Sequence, residues 1–335
     1  MRRLLAAAIF AALLLPLAAA CSGDSSSSLT IYAGRSSTLV DPILKQFAKE
    51  TGIHVRVRYG DSTELASTIL EEGKNSPADI FYGQDAGSLG ALLAANRLTP
   101  LPGDLLQLVP EAYRSPQGLW VGISGRARVA AYNTDKLSPS DLPASVLGYS
   151  DARWKGRVGY VPPSDGFPDF VTGLRLILGE DAARAWLQAF KANNPKAYPN
   201  NLAALQAVAD GEVDVALVNH YYLLRSLQEH GQGFKARNYY FSSGDPGGLI
   251  NVAGAGILDT AGNREYAERF LRFLLSAEAQ QYFAESTFEY PLAAGVAADP
   301  QLPPLSQLQP PKIDLTRLSD LQGSLKLMRE VGLLP

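Results

Sequence analysis

The chain is poor in the residues that most metal and redox chemistry uses. It has one cysteine, Cys21, and three histidines, His54, His220 and His230, far apart in sequence. A single thiol excludes an intrachain disulfide and a thiolate metal cluster. Histidines so scattered form none of the short-spaced motifs of zinc enzymes. Charge is also scarce: 19% of the 335 residues are Asp, Glu, Lys or Arg, against roughly 25% in an average soluble domain. With 46% hydrophobic residues, the composition excludes a disordered tail. A net charge of -3 and a pI near 5.7 leave no basic surplus for a nucleic-acid groove. The Gly-rich Lys motif of ATPases is missing. Ser124, in the run GISGR, does not fit a nucleophile elbow, and no histidine is placed to serve it. The expectation is therefore a protein that is not an enzyme. Its length suffices for two domains.

What is present begins with an address. Arg2 and Arg3 precede an uncharged, mostly apolar run that ends in Ala18-Ala19-Ala20 before Cys21. This is the pattern of a secretory signal with a small-residue cleavage site. It resembles a bacterial lipoprotein signal, with residues 1–20 removed and Cys21 acylated. Leu17 sits one place further from Cys21 than the usual pattern has its leucine, and Ala18 takes that place. Loss of Arg2 and Arg3 takes the formal charge to about -5. The serine-rich residues 21–28 read as a tether to a membrane.

From Leu29 onward, strand-like and helix-like runs alternate. Leu29–Tyr32, His54–Tyr59 and Ala78–Phe81 read as strands; Leu39–Glu50, Thr63–Glu72 and a run to Ala95 read as helices. Trp120–Ile123 and Arg126–Tyr132 read as two strands crossing into a second region. There Arg157–Val161, a helix from about Asp169, a helix over Leu202–Ala209 and a strand over Val213–Val218 repeat the alternation. Gly254–Leu258 returns as a strand before helices over Glu265–Ser276 and Glu278–Glu285. The pattern predicts two α/β lobes with a ligand cleft between them, at carboxyl ends of strands. His54 and His230 read as surface or structural residues.

The most informative stretch is VDVALVNHYYLLR, Val213–Arg225. A strand ends, Asn219 and His220 turn the chain, and Tyr221 and Tyr222 open a helix. Adjacent side chains on a strand point to opposite faces. At a strand-to-helix turn both phenols can lean into one cleft. Tyr239-Tyr240, within a strand-like run, should instead diverge. A phenolate is a hard anionic donor suited to a hard, highly charged cation. Free tyrosine ionises near about pH 10, so only a strong Lewis acid such as ferric ion makes it a ligand at neutral pH.

These residues resemble the ferric-ion-binding, transferrin-like periplasmic proteins that serve ABC importers. The likeness runs through PADIFYGQDAG (Pro77–Gly87), SGRARVAAYN (Ser124–Asn133), WKGRVGYV (Trp154–Val161), LQAVADGEVDVALVNHYY (Leu205–Tyr222), DPGGLINVAGAGIL (Asp245–Leu258) and EYPL (Glu289–Leu292). The resemblance implies a two-lobed periplasmic-binding-protein fold of the class II type, its lobes joined by a hinge. Lobe 1 is expected over 29–123 with about 252–302, and lobe 2 over 124–251 with about 303–335. It implies ferric ligation by Tyr221 and Tyr222. One branch of the family adds a histidine after the first strand and a glutamate after the third, where this chain has Ser36 and Gln84. It therefore resembles the branches in which arginines hold a carbonate-like anion beside the metal.

Arg35, Arg126 and Arg128 are the candidate anion holders, since a guanidinium offers a fork to a planar oxyanion. Arg126 and Arg128, two apart on a strand, should share a face. The family's other anion positions fall on Ser164, Asp165 and Gly166, Asn201 and Asn219. Asp165 puts a carboxylate there, which favours carbonate or bicarbonate over phosphate, with citrate also open. Asn201 is alternatively the cap of the helix expected from Leu202. Asp85 is either a helix cap or a further ligand, and Gln84 a weaker donor. The implied function is capture of ferric iron outside the cytoplasm by a lipid-anchored monomer, in the periplasm or on the outer face of the cytoplasmic membrane, and delivery to an ABC permease. The alternatives are the same fold with another anion or organic solute, and, remotely, a secreted hydrolase.

Overall fold

The computed structural model describes residues 28–162 and 166–334. Cys21 and the signal segment lie outside them. Among the described residues no helix is long and apolar enough to cross a membrane.

The strands, in chain order, are β1 (Ser28–Ala33), β2 (His54–Tyr59), β3 (Ile80–Gly83), β4 (Val121–Asn133), β5 (Val158–Tyr160), β6 (Lys196–Ala197), β7 (Val215–Asn219), β8 (Ala236–Tyr239), β9 (Ile250–Ile257) and β10 (Tyr290–Pro291). Their order in space is β2-β1-β3-β9-β4-β7-β5-β6, with β8 and β10 added to β4. β1 pairs in parallel with β2 and β3, as expected when helices connect successive strands. β1 and β3 are almost wholly buried, while β2, at the edge, alternates between exposed and half-buried positions.

The two strands expected at Trp120–Ile123 and Arg126–Tyr132 are one strand of 13 residues. Its first half, Val121–Ala127, pairs with β9, and its second, Arg128–Tyr132, pairs with β7. Gly125 does not end it, because Ser124 and Gly125 are held between β9 and β10. β4 therefore belongs to both lobes, and with β9 it forms their hinge.

Each lobe has its own aromatic core. Phe47 meets Phe270 edge-on at 5.2 Å in the first. In the second, Trp186 stacks on Phe190 at 5.0 Å. The C-terminal stretch touches both lobes. Gly87 and Gly90, on helix Ala86–Ala94, leave room for the backbone of Leu318 and Thr316. Helix Leu321–Glu330 then packs on helix Phe167–Leu178 of the second lobe.

His220 pins the hinge. Its ring is fully buried; Nδ1 accepts from the Ala127 N–H at 3.1 Å, and Nε2–H donates to the Phe288 carbonyl at 2.9 Å. The ring also stacks on Tyr290 at 4.8 Å. Phe288 adopts φ 58°, a left-handed conformation that a bulky residue holds only against strain. Both His220 nitrogens are used, which fixes the neutral tautomer. His54 and His230 are exposed, as their sequence context implied.

Burial pushes the His220 imidazole down to about 4. An unfolded chain takes up this proton at a higher pH than the folded one. Stability is thus complete above about pH 6.5 and declines as pH falls towards 4, by about 1.4 kcal/mol per pH unit. His220→Phe strands a buried N–H and a buried carbonyl, each costing about 1–3 kcal/mol. Urea denaturation should show the variant about 2–4 kcal/mol less stable near pH 7.5, with the gap narrowing near pH 4.5. A gap that stays constant with pH would remove the neutral imidazole from this role.

Candidate functional site

The strand ends converge as their direction requires. β1 delivers Gly34-Arg35, β2 delivers Tyr59–Asp61, β3 delivers Gln84-Asp85, and β7 delivers Asn219 and then Tyr221 and Tyr222. Together they wall a cleft of about 940 Å³ between the lobes. A larger crevice, about 1160 Å³, lies elsewhere and is lined mostly by Pro, Ala and Leu, with only Asp299 and Lys312 charged. Polar chemistry is therefore concentrated in the interlobe cleft.

Helix Tyr221–His230 begins with the two phenols. Their rings stack at 4.2 Å with planes 29° apart, and both line the cleft. The turn at His220 makes this possible, as the sequence suggested. Tyr239 and Tyr240 diverge as expected: the first packs against the second lobe's core, the second against the main cluster. Tyr221 is buried and Tyr222 half-buried. Burial, and then the neighbouring Tyr222, push the Tyr221 phenol well above its ordinary value, with Arg126 opposing. Tyr221 is thus held as a neutral phenol at neutral pH. Among the described residues no group of three or more His, Cys, Asp or Glu is placed to hold a metal.

The three arginines differ in availability. Arg35 and Glu289 form an ion pair at 2.8 Å, with both side chains sealed from solvent. Arg35 also donates to the Gln84 carboxamide oxygen. Glu289 accepts from the Ser124 hydroxyl as well. Burial alone would raise the Glu289 carboxyl, but Arg35 and Arg126 outweigh it and hold it below its usual range. Arg128 donates to the Leu217 carbonyl at 2.8 Å and lies 5.4 Å from the rings of both Phe167 and Phe170. It stands behind the cleft, facing a small void that it shares with Arg126, Gly166 and Asn219. Arg126 and Arg128 do share a face. Arg126 lines both spaces and donates to the Gln84 backbone carbonyl.

The remaining predicted residues sort by position. Asp85 caps helix Ala86–Ala94, its Oδ1 accepting from the Ser88 N–H at 2.7 Å. The Gln84 carboxamide oxygen is already engaged by Arg35. Gly34 is required by close approach, since a Cβ there would collide with Ser62. Ser62 Oγ in turn accepts from the Gln84 N–H at 2.8 Å. Ser36 is exposed at the cleft wall and shares its hydroxyl with Thr38. Gly166 faces Asn219, and Asn201 Oδ1 accepts from the Asn219 N–H at 3.2 Å. Asn201 is not the helix cap: Asn200 is, with its Oδ1 accepting from the Ala203 N–H at 2.9 Å. The helix starts one residue earlier than expected, leaving Asn201 fully buried and Asn200 at the cleft. Ser164 and Asp165 lie outside the described residues.

Sequence reasoning missed four site residues. Glu289 lies in the EYPL motif, but nothing local shows that it answers Arg35, 254 positions away. Asp169 faces the cleft; burial and the nearby Asp85 raise its carboxyl to about 7. Asn251 bonds Asp169 at 2.8 Å and accepts from the Ala86 N–H at 3.2 Å, so it links both walls. Arg225 also lines the cleft, and its signal was present: it is one helical turn after Tyr221.

The geometry has clear relatives. Residues 75–317 match the family described as bacterial extracellular solute-binding protein. The chain is 37% identical to the major ferric iron-binding protein of Neisseria meningitidis serogroup A, over 92% of this chain and 93% of that one. The structure of iron-bound HitA from Pseudomonas aeruginosa is similar with a TM-score of 0.85 and 39% identity, covering 91% of this chain and 99% of HitA. A Trichodesmium IdiA (FutA) structure with iron and citrate gives 0.81 and 32%, covering 91% and 99%. These likenesses bear out the two-lobed fold with a hinge and place the chain outside the cytoplasm, among binding proteins rather than enzymes. By shared sequence over most of its length and by shared fold, the chain belongs to the bacterial extracellular solute-binding proteins, alongside members named as ferric iron-binding proteins.

Proposed function

We propose that this protein captures ferric iron in the interlobe cleft through Tyr221 and Tyr222, together with a synergistic anion. The observation that carries this is the stacked phenol pair, held beside Arg126 on a cleft wall that offers no His or Cys donor among the described residues. Two phenolates leave a ferric ion with one net positive charge, which an anion offsets while filling further coordination positions. Carbonate or bicarbonate is the favoured anion and Arg126 its holder, because of the three candidate arginines it alone lines the cleft without a buried carboxylate bonded to it. Arg35 is bound to Glu289, and Arg128 is braced behind. Phosphate and citrate are the competing anions. Gly166 and Asn219 lie next to Arg126 and would complete the anion's surroundings. Asp85 and Gln84 contribute by shaping the wall, since one caps a helix and the other serves Arg35.

The lobes, 29–123 with about 252–302 and 124–251 with about 303–335, would close over the ion by bending at β4 and β9. A lipid on Cys21 would hold the monomer near the ABC permease that receives the iron. Opening of the cleft, loss of the anion or reprotonation of the phenols would release it.

Metal-stripped protein, residues 22–335, titrated with ferric ion in bicarbonate should develop a visible tyrosinate-to-iron band. Tyr221→Phe and Tyr222→Phe should each lose most of it, and wild type without bicarbonate should bind at least about tenfold more weakly. No band with any anion would point to a solute other than iron, while a band indifferent to anions would sink the carbonate assignment.

A second expectation follows from the protonated phenols. Each bound ferric ion should displace about two protons in weakly buffered solution, so affinity falls as pH falls. Arg126→Leu should raise the bicarbonate concentration needed for half-saturation by about tenfold, without moving the band maximum of the saturated protein. An unchanged bicarbonate requirement would remove Arg126 from the anion.

A further inference from the structure

The charges at the mouth of the cleft are divided between its walls. On the first lobe, Asp61 caps helix Ser62–Glu72, with its carboxylate accepting from the Thr63 and Glu64 N–H groups. Glu64, in the first turn of that helix, also lines the cleft, and its exposed carboxylate has no hydrogen-bond or ion-pair partner among the described residues. Two residues earlier, Ser62 is tied to the floor through Gly34 and Gln84. Glu64 therefore stands above the floor on a helix anchored to it.

Arg225 is a charged residue of the second lobe's wall. It is four residues after Tyr221 and three after Tyr222, so it shares their helix face one turn further along. It lines the same cleft, is half-buried, and forms no ion pair or hydrogen bond among the described residues. The other cleft arginines, Arg35 and Arg126, are buried and bonded at the floor. Opposite charges without ion-pair partners among the described residues thus line the two walls of one cleft.

We infer that Glu64 and Arg225 form a cross-cleft ion pair on lobe closure and slow escape of the cargo. This rests on the capture function proposed above but involves neither the phenols nor the anion. An exposed pair contributes little, but closure removes water around it and strengthens the attraction. Asp61 is the weaker candidate because its carboxylate is already engaged as a cap.

The test compares wild type, Glu64→Arg, Arg225→Glu and the double exchange, all in residues 22–335. Release of ferric ion to excess chelator is followed at the tyrosinate band. Each single reversal should speed release roughly fivefold, and the double exchange should return it to within about twofold of wild type. An iron-independent readout accompanies it. Residues 22–335 contain no cysteine, so Thr38→Cys and Leu202→Cys, exposed on opposite walls, accept spin labels for distance measurement with and without ferric ion. The short-distance population should shrink in each single reversal and recover in the double exchange. A wild type that binds no iron but shows this distance pattern would sink the ferric assignment and keep the latch. Unchanged distances, or a double exchange no better than the single reversals, would overturn the latch even where iron binds.

Discussion

A guanidinium and a carboxylate sealed from water at 2.8 Å organise the floor of this cleft. Neither Arg35 nor Glu289 tolerates loss of the other, because a stranded buried charge costs about 3–5 kcal/mol. Their pairing recruits neighbours: Arg35 draws in the Gln84 carboxamide, and Glu289 draws in the Ser124 hydroxyl on β4. The end of β1, the end of β3 and the hinge strand are thereby fixed to one another. The same bonds engage the polar groups of Arg35, Gln84 and Glu289 with one another at the floor of the cleft.

Three consecutive residues join this floor to the hinge. The Phe288 carbonyl accepts from His220, Glu289 meets Arg35, and the Tyr290 ring stacks on His220. His220 also binds β4 at Ala127 and immediately precedes the phenol pair. The strained backbone at Phe288 fits such a place, since surrounding bonds over-determine it. His220 therefore ties β4 directly to the start of the helix that carries the phenols.

Electrostatics at the floor are nearly balanced. Arg126 lies among Asp85, Asp169 and Glu289, and each influences or is influenced by it. Asn251 bonds Asp169 while accepting from the first turn of helix Ala86–Ala94, so the carboxylates are held at the seam between lobes. A cation with its anion can enter such a setting with little change of net charge. A lone anion would meet the carboxylates, and a lone cation would meet Arg126.

Much was legible in the chain itself because it depends on local physics. Alternating periodicities revealed the α/β lobes, and the strand-to-helix turn at Asn219-His220 indicated where Tyr221 and Tyr222 would meet. The two-residue spacing of Arg126 and Arg128 put them on one face. The break read between Ile123 and Arg126 was wrong because pairing with β9 and β10 carries β4 through Gly125. The cap moved from Asn201 to Asn200 because the Asn201 side chain is bound to the β7 end. Tertiary structure alone decided which charges are available: Arg35 is consumed by a carboxylate 254 residues away, Arg128 is braced behind the wall, and Arg225 faces the mouth. Local sequence determines which way a side chain points, but only the folded chain brings the partner that satisfies or frees its charge.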